Sequence, residues 1–113
     1  MSRSWLLFLD DMRQAARKIE RYVGGRDQHA FRADEMAFDA ALRNLEILGE
    51  AVKGIPEEIR ARHPQVDWRG VAGFRNVLAH AYFSVDEPTL WDIVRNKVPR
   101  LLHQLEQITE DRK

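Results

Sequence analysis

The sequence predicts an all-α protein, an antiparallel up-and-down bundle of four main helices plus a short helix, in a single domain that covers residues 1–113. Apolar residues recur at three- and four-residue steps in nearly every segment, which is the period of an amphipathic helix. The alternation of apolar and polar residues that is typical of strands is absent. With 44% apolar and 32% charged residues, 113 positions can form one modest core, so a dimer also fits the composition.

The first predicted helix begins after Ser2 or Ser4, because a serine hydroxyl can accept a hydrogen bond from a free N–H of the first turn. It ends at Gly24 and Gly25. A short turn of helix is expected around Gln28–Arg32. The apolar stripe of the first helix consists of Trp5, Leu9, Met12, Ala16, Ile19 and Val23.

The second helix is predicted from about Asp34 to Lys53. We expect Gly54 to follow it as a C′ residue, the position that glycine favours after a helix. Pro56 then opens the short helix, Pro56–Arg62, because proline is well suited to a first helical turn. The apolar stripe of the second helix consists of Ala37, Ala41, Leu45, Leu48 and Val52.

The third helix is predicted to run from Trp68 to about Phe83. Before it, His63 precedes Pro64 and is therefore pushed out of the α region, which ends the short helix. Asp67 is a suitable N-cap for the helix that follows.

The last helix is predicted roughly over residues 87–110, after a cap at Ser84 or Asp86. Pro99 lies inside this stretch and should kink the helix or split it in two, because proline lacks the N–H that a helix interior needs. The apolar stripe consists of Leu90, Val94, Val98, Leu101, Leu105 and Ile108.

The composition also bears on the classes of site that are possible. The chain has no cysteine, so it has neither disulfide nor thiolate chemistry. The four histidines do not show a metal-binding spacing and the glycines form no phosphate-binding loop, so we expect no metal and no cofactor. The apolar runs are too short to span a membrane and the N-terminus lacks the features of a signal peptide, so we expect a cytoplasmic protein.

Charge is distributed unevenly along the chain. The formal net charge is zero, which argues against a general electrostatic attraction to nucleic acid. However, 14 of the 18 basic residues are Arg, and Asp67 is the one acid between Ile59 and Phe83. The arginines of this stretch are either ordinary solvated side chains or a local phosphate-binding surface, since guanidinium groups match phosphate oxygens. They are Arg60, Arg62, Arg69 and Arg75.

Four polar residues stand together on the otherwise apolar third helix: Arg75, Asn76, His80 and Tyr82. At about 100° per residue, Arg75 and Tyr82 lie on nearly the same face, and Asn76 and His80 stack on a neighbouring face. Arg75 and His80 are separated by roughly 140°, so one straight helix does not direct both at a single point. A second copy of the helix across a two-fold axis would supply the missing partner.

A purely structural role for these residues is the alternative. A histidine near a helix C-terminus can bond to the last carbonyls, and Arg75 can pair with Glu46 or Glu50 of the second helix. In that case, charge reversal at Glu50 is expected to loosen or unfold the protein.

The pattern Arg75-Asn76-x-x-x-His80-x-Tyr82 resembles the R-x4-H-x-Y signature of HEPN domains, specifically that of the HepT-like toxins. The resemblance covers almost the whole chain. Four segments share the order and spacing of that family: RNLEILGEAVK (43–53), Pro64-x-x-Asp67-Trp68, GFRNVLAHAYFSVD (73–86) and LWDIVRNKVPRLLHQL (90–105).

The resemblance implies the HEPN fold and a homodimer whose two R-x4-H motifs face each other across a cleft. It implies a metal-independent endoribonuclease, the toxin of a type VII toxin–antitoxin pair, with Arg75 and His80 as catalytic residues. The implied partner is an MntA-like minimal nucleotidyltransferase antitoxin, which neutralises the toxin by attaching AMP to Tyr82. The alternative is a non-catalytic HEPN interaction or nucleotide-binding module that partners such a nucleotidyltransferase.

The chemistry of the residues fits RNA cleavage without a metal. Histidine is the side chain suited to moving protons near neutral pH, so His80 would activate the 2′-OH or protonate the leaving 5′-oxygen. Arg75 would hold the scissile phosphate and stabilise its developing charge. Asn76 would support His80 by orienting its ring or by bonding to the phosphate. The intact pair of Arg75 and His80 favours the enzyme over the binding module.

Overall fold

The computed structural model describes the backbone of residues 4–82 and 87–111 and the side chains of residues 4–78 and 88–108. Over these residues the chain is helical and contains no β-strand, which confirms the all-α prediction. A 3₁₀ turn, Val52–Gly54, follows α3, and a π-helical segment, Ile93–Lys97, joins α7 to α8. The α-helices are α1 (Trp5–Val23), α2 (Gln28–Ala33), α3 (Glu35–Ala51), α4 (Glu57–Arg62), α5 (Trp68–Ala72), α6 (Phe74–Tyr82), α7 (Glu87–Asp92) and α8 (Val98–Asp111).

The core lies between the apolar stripes of the long helices. Helix α1 packs against both α3 and α8, and α3 in turn packs against α6. Burial of these stripes is the main contribution to folding, since each large apolar side chain removed from water contributes roughly 1.5–3 kcal/mol. The largest fully buried side chains include Met12, Ile19, Leu42, Leu45, Leu48 and Leu105.

Helix α1 begins and ends as predicted. The hydroxyl of Ser4 accepts a hydrogen bond from the N–H of Leu6 at 3.2 Å. Gly24 has a φ of 53°, a left-handed conformation that glycine adopts without steric cost, and its N–H donates to the carbonyl of Glu20 at 2.8 Å. The predicted apolar stripe is buried from Leu9 to Val23, with Trp5 partly buried at its edge.

Aspartate side chains begin the next two helices. Asp27 caps α2 by accepting from the N–H of Ala30 at 2.8 Å, and Asp34 caps α3 by accepting from the N–H of Ala37 at 3.1 Å. The bond from Ala37, and then the nearby guanidinium of Arg26, lower the pKa of Asp34 below its ordinary value. The caps fix where α3 starts, and its predicted stripe from Ala37 to Val52 is buried.

The predicted role of Gly54 is wrong. Gly24 is the one glycine with positive φ among the described residues, so Gly54 is not a left-handed C′ residue. Instead, α3 tightens into the 3₁₀ turn that contains Gly54. A Cβ atom at this position would overlap the ring of Phe8 from α1. Glycine therefore permits a close approach of Phe8 to the end of α3 rather than a turn.

The predicted third helix is two helices, α5 and α6, and this corrects the expectation of one continuous helix. The Asp67 cap is confirmed, since its carboxylate accepts from the N–H of Gly70 at 3.0 Å. The break occurs at Gly73, whose ψ of −3° is far from the usual helical value. The N–H of Gly73 donates to the carbonyls of both Arg69 and Gly70, which tightens the end of α5.

The last helix is interrupted as the position of Pro99 predicts. Helix α7 passes without a gap into the π-helical segment Ile93–Lys97, which continues as α8 from Val98. The N–H of Val98 donates to the carbonyl of Ile93, five residues back, so the wider turn lies directly before Pro99, which has no N–H to donate. The predicted apolar stripe, from Leu90 to Ile108, is buried. None of the helices in the described part of the chain is both long and apolar enough to cross a membrane.

Candidate functional site

Arg75 and Asn76 lie on the exposed side of α6. The helix turns Phe74 and Leu78 into the core, which leaves the two polar residues on the surface. The backbone of α6 continues through His80 and Tyr82, but the side chains of both lie outside the described residues. Residues 83–86, which include the two candidate caps of the last helix, also lie outside them. Catalytic and modification roles for these residues therefore stay predictions.

The guanidinium of Arg75 pairs with Glu50, one of the two carboxylates that the sequence suggested. Arg75 Nη1 lies 3.0 Å from Glu50 Oε1, and Lys53 Nζ lies 3.3 Å from the same oxygen. The side chains of Arg75 and Glu50 are 58% and 48% exposed. Because Nη1 is the one Arg75 donor with a partner among the described residues, the remaining N–H groups are available to an incoming anion.

Gly49 allows the segment that carries Arg75 to lie close to α3. A Cβ atom at Gly49 would be 3.4 Å from the carbonyl oxygen of Val71 and 3.7 Å from Cγ of Arg75. The end of α5 and the stem of Arg75 therefore pass directly over this glycine. Helical periodicity does not predict this role. A glycine inside a helix lowers helix stability by about 1 kcal/mol relative to alanine, so its presence there is a sequence signal of close packing.

The glycines at positions 70 and 73 have local roles in the described chain. A Cβ at Gly70 would overlap the carboxylate of Asp67, so this glycine leaves room for the N-cap of α5. Gly73 occupies the break between α5 and α6.

A groove of about 310 Å³ adjoins the ion pair on the outer side of α1 and α3. Arg43 lines it together with Glu46 and Glu50, and the apolar part of its lining includes Ile47. The carboxylates make this side of Arg75 unfavourable for a phosphate. An anionic ligand is therefore expected to reach Arg75 from the side away from α3.

Two other arginines of the basic stretch belong to a different surface. Arg60 and Arg69 line an open depression of about 610 Å³ whose lining does not include Arg75. Glu57 and Asp67 line it as well, so its charge is mixed. The indole N–H of Trp68 donates to the carbonyls of Arg60 and His63 and so fixes α4 to α5. The proposed phosphate-binding surface is therefore not one continuous pocket that includes Arg75.

No three His, Asp or Glu side chains within residues 4–78 and 88–108 are grouped closely enough to hold a metal ion.

Comparison with known proteins places these residues in a family context. The family model described as "Ribonuclease HepT-like" matches residues 12–108. A protein of Thermococcus cleftensis named "Probable ribonuclease HepT" is 37% identical over 96% of this chain and 98% of its own length. A candidate RNase of Methanocaldococcus jannaschii is 38% identical over 92% of this chain and 86% of its own length. A candidate RNase of Caldanaerobacter subterraneus is 34% identical, over 94% of this chain and 95% of its own length. The search of the solved structures found no match.

Proposed function

The chain belongs to the ribonuclease HepT-like family, and from this membership we propose that it is an endoribonuclease, the toxin of a type VII toxin–antitoxin pair. The observation that carries the proposal is the match over residues 12–108, which includes the whole segment from Arg75 to Tyr82. In this proposal the protein cleaves RNA in the cytoplasm through the R-x4-H motif and uses no metal.

Arg75 is suited to binding the scissile phosphate. Its side chain is more than half exposed, and its ion pair with Glu50 uses one of the two terminal nitrogens. A guanidinium group binds phosphate through two parallel hydrogen bonds, which are stronger than those between neutral groups. In the transition state the phosphate carries additional negative charge, and a fixed cation stabilises that state more than the ground state.

His80 would move the protons of the reaction. In the transphosphorylation step the 2′-oxygen loses its proton and attacks phosphorus, and the 5′-oxygen leaves and gains a proton. One imidazole can take the first proton, and a second imidazole, already protonated, can supply the other. The homodimer provides two copies of His80, and the angle of about 140° between positions 75 and 80 of one α6 favours a site built from two chains.

Tyr82 would be the switch by which the antitoxin acts. The phenolic oxygen of Tyr82 attacks the α-phosphorus of ATP held by the MntA-like nucleotidyltransferase, pyrophosphate leaves, and the phenolic proton passes to solvent. The product is a tyrosyl phosphodiester of AMP. Positions 75 and 82 are two turns apart on nearly the same face of α6, so AMP attached there would occupy the Arg75 face and compete with RNA.

RNA cleavage by purified protein tests the proposed activity. We expect wild type to cleave single-stranded RNA in the presence of EDTA, and both His80→Ala and Arg75→Ala to lose at least about a hundredfold in rate, the usual contribution of a proton-transfer group or a charge-stabilising donor. Arg43→Ala is the matched control, because Arg43 is exposed and has no ion pair among the described residues. Cleavage that persists in folded His80→Ala would show the catalytic assignment to be wrong.

Intact-protein mass spectrometry after incubation with the cognate nucleotidyltransferase and ATP tests the switch. The chain has two tyrosines, Tyr22 and Tyr82, so the variants Tyr22→Phe and Tyr82→Phe form a matched pair. We expect AMP increments on wild type and on Tyr22→Phe, with loss of RNA cleavage, and none on Tyr82→Phe. Increments that survive Tyr82→Phe would contradict the assignment.

A non-catalytic HEPN module is the second candidate, and the neutralisation of Arg75 by Glu50 is the observation that favours it. A module of this kind binds the nucleotidyltransferase without cleaving RNA. If wild type and His80→Ala cleave RNA at the same background rate, the result would support the non-catalytic module over the ribonuclease.

A further inference from the structure

A pocket of about 440 Å³ lies on the other side of α6 from Glu50. One wall comes from α5 and α6 and the opposite wall from the π-helical segment and α8. This α6–α8 pocket has an apolar floor formed by Val71, Phe74, Val77, Ile93 and Leu101. Its volume falls within the range of about 300–1,000 Å³ that is common for ligand sites, and an apolar floor is their usual lining.

The rim of the pocket is polar and carries two cations. Lys97 and Arg100 line it, and neither has an ion-pair partner among the described residues. Among the described residues, the one acid of the lining is Asp67, whose carboxylate already accepts the N–H of Gly70 at the start of α5. The rim therefore favours an anionic ligand, because two cations face one carboxylate that is engaged elsewhere.

Two features define the walls of the pocket. Gln104 of α8 donates to the carbonyl of Gln65 at 3.0 Å, which joins the walls at one end. Lys97 and Ile93 come from the π-helical segment, where the wider turn displaces side chains from the positions of a regular α-helix. Such segments occur frequently at functional sites.

The pocket lies beside the part of α6 that carries the second half of the motif. Val77 lines the pocket, and position 80 is three residues further along the same helix, about 60° around its axis. Asn76 is exposed and lies one turn before position 80. Arg75, by contrast, is about 160° from Val77. A ligand in the pocket is therefore adjacent to the edge of α6 that carries Asn76 and position 80.

We propose that the α6–α8 pocket binds one unpaired base of the RNA substrate next to the cleavage position, with the base on the apolar floor and its phosphate held by Lys97 and Arg100. A base has a flat face that packs on apolar side chains irrespective of its identity, and the phosphate supplies the negative charge. This inference rests on the proposed ribonuclease function. It assigns substrate binding to residues outside the R-x4-H motif.

Methyl NMR of the His80→Ala variant tests occupancy of the pocket without dependence on cleavage. A short single-stranded oligoribonucleotide is the probe. We expect it to shift the methyl resonances of Val71, Val77 and Ile93, and to leave those of Ile19 and Leu45 in the core unchanged. Unchanged pocket methyls at saturating oligonucleotide would overturn the proposal. So would pocket shifts that depend on protein concentration without RNA, because a second copy of the chain would then cover the floor.

Cleavage kinetics with charge-removing variants test the cationic rim. The double variant Lys97→Gln/Arg100→Gln should raise KM with little change in kcat. It should also lower the slope of log KM against log salt by about 0.7 for each phosphate that the variant no longer neutralises. Arg95→Gln is the matched control for the single variant Lys97→Gln, because Arg95 belongs to the same π-helical segment, is exposed and does not line the pocket. An equal effect of Arg95→Gln would show a general loss of charge and overturn the proposal.

The two sets of measurements separate this proposal from the ribonuclease function. If wild type cleaves RNA and the pocket methyls do not respond, the pocket assignment fails and the function stands. If wild type does not cleave RNA at all, the proposed function fails, and the pocket assignment, which rests on it, fails with it.

Discussion

The ion pair between Arg75 and Glu50 lies at the surface, where water and salt weaken the attraction between charges. Exposed pairs of this kind contribute about 0.2–1 kcal/mol to stability. The expectation that charge reversal at Glu50 would loosen or unfold the protein is therefore revised to a small effect on stability. The more important consequence concerns Arg75, because a carboxylate at 3.0 Å competes with a phosphate for the same guanidinium group.

Replacing Glu50 with glutamine removes this competition and keeps the size of the side chain. We expect Glu50→Gln to change the free energy of unfolding by less than about 1 kcal/mol. We also expect it to lower KM for RNA, because RNA then displaces a neutral amide from Arg75 rather than a carboxylate. Urea denaturation and steady-state cleavage measure the two quantities. Glu46→Gln, one turn earlier on the same exposed face, is the control, and an equal decrease in KM there would contradict the specific role of Glu50.

The helices begin and end largely where local side chains dictate. Ser4, Asp34 and Asp67 accept hydrogen bonds from N–H groups that have no partner within the helix, which is a local interaction and is visible in the sequence. The glycines behave differently. Gly49 and Gly54 are explained by neighbours that are distant in sequence, namely the segment from Val71 to Arg75 and the ring of Phe8.

Alanine substitution at Gly54 tests the contact between α1 and the end of α3. The added Cβ overlaps the ring of Phe8, which must move out of its packed position, so we expect a loss of about 1–3 kcal/mol in the free energy of unfolding. The control is Gly25→Ala, because nothing lies within 4 Å of a Cβ there and no change or a small gain is expected. A double variant that also carries Phe8→Ala should lose less than the sum of the single variants. Additive losses would contradict the contact.

A single chain supplies only part of the predicted catalytic site. Within one chain, positions 75 and 80 lie about 140° apart around the axis of α6, and Glu50 occupies the α3 side of Arg75. A two-fold dimer that brings two α6 helices together would place Arg75 of one chain near His80 of the other.

Mixed dimers test this arrangement. We expect a mass in solution near twice the 13.2 kDa of the chain. When Arg75→Ala and His80→Ala chains are co-expressed and the mixed dimer is isolated, the one intact Arg75 and the one intact His80 come from different chains. Because the mixed dimer holds one of the two proton-transfer groups, its RNA cleavage should fall below that of wild type and exceed that of the His80→Ala dimer. A monomer at micromolar concentration would contradict a site shared between chains.

Much of the helical organisation follows from the sequence because it depends on local interactions. The 3.6-residue period places each apolar stripe, aspartates and serines cap helix starts, and Pro99 requires an interruption nearby. The motif from Arg75 to Tyr82 indicated the family for a related reason, since the order and spacing of its residues are contained in the chain itself.

Only the tertiary structure decided which distant residues meet. It selected Glu50 rather than Glu46 as the partner of Arg75, because Gly49 lets the stem of Arg75 lie against α3. It divided the predicted third helix at Gly73, and it left open a pocket between α6 and α8. These outcomes depend on how helices far apart in sequence pack together. Local propensity and periodicity do not determine that packing, because the side chains that fill or leave space come from several elements at once.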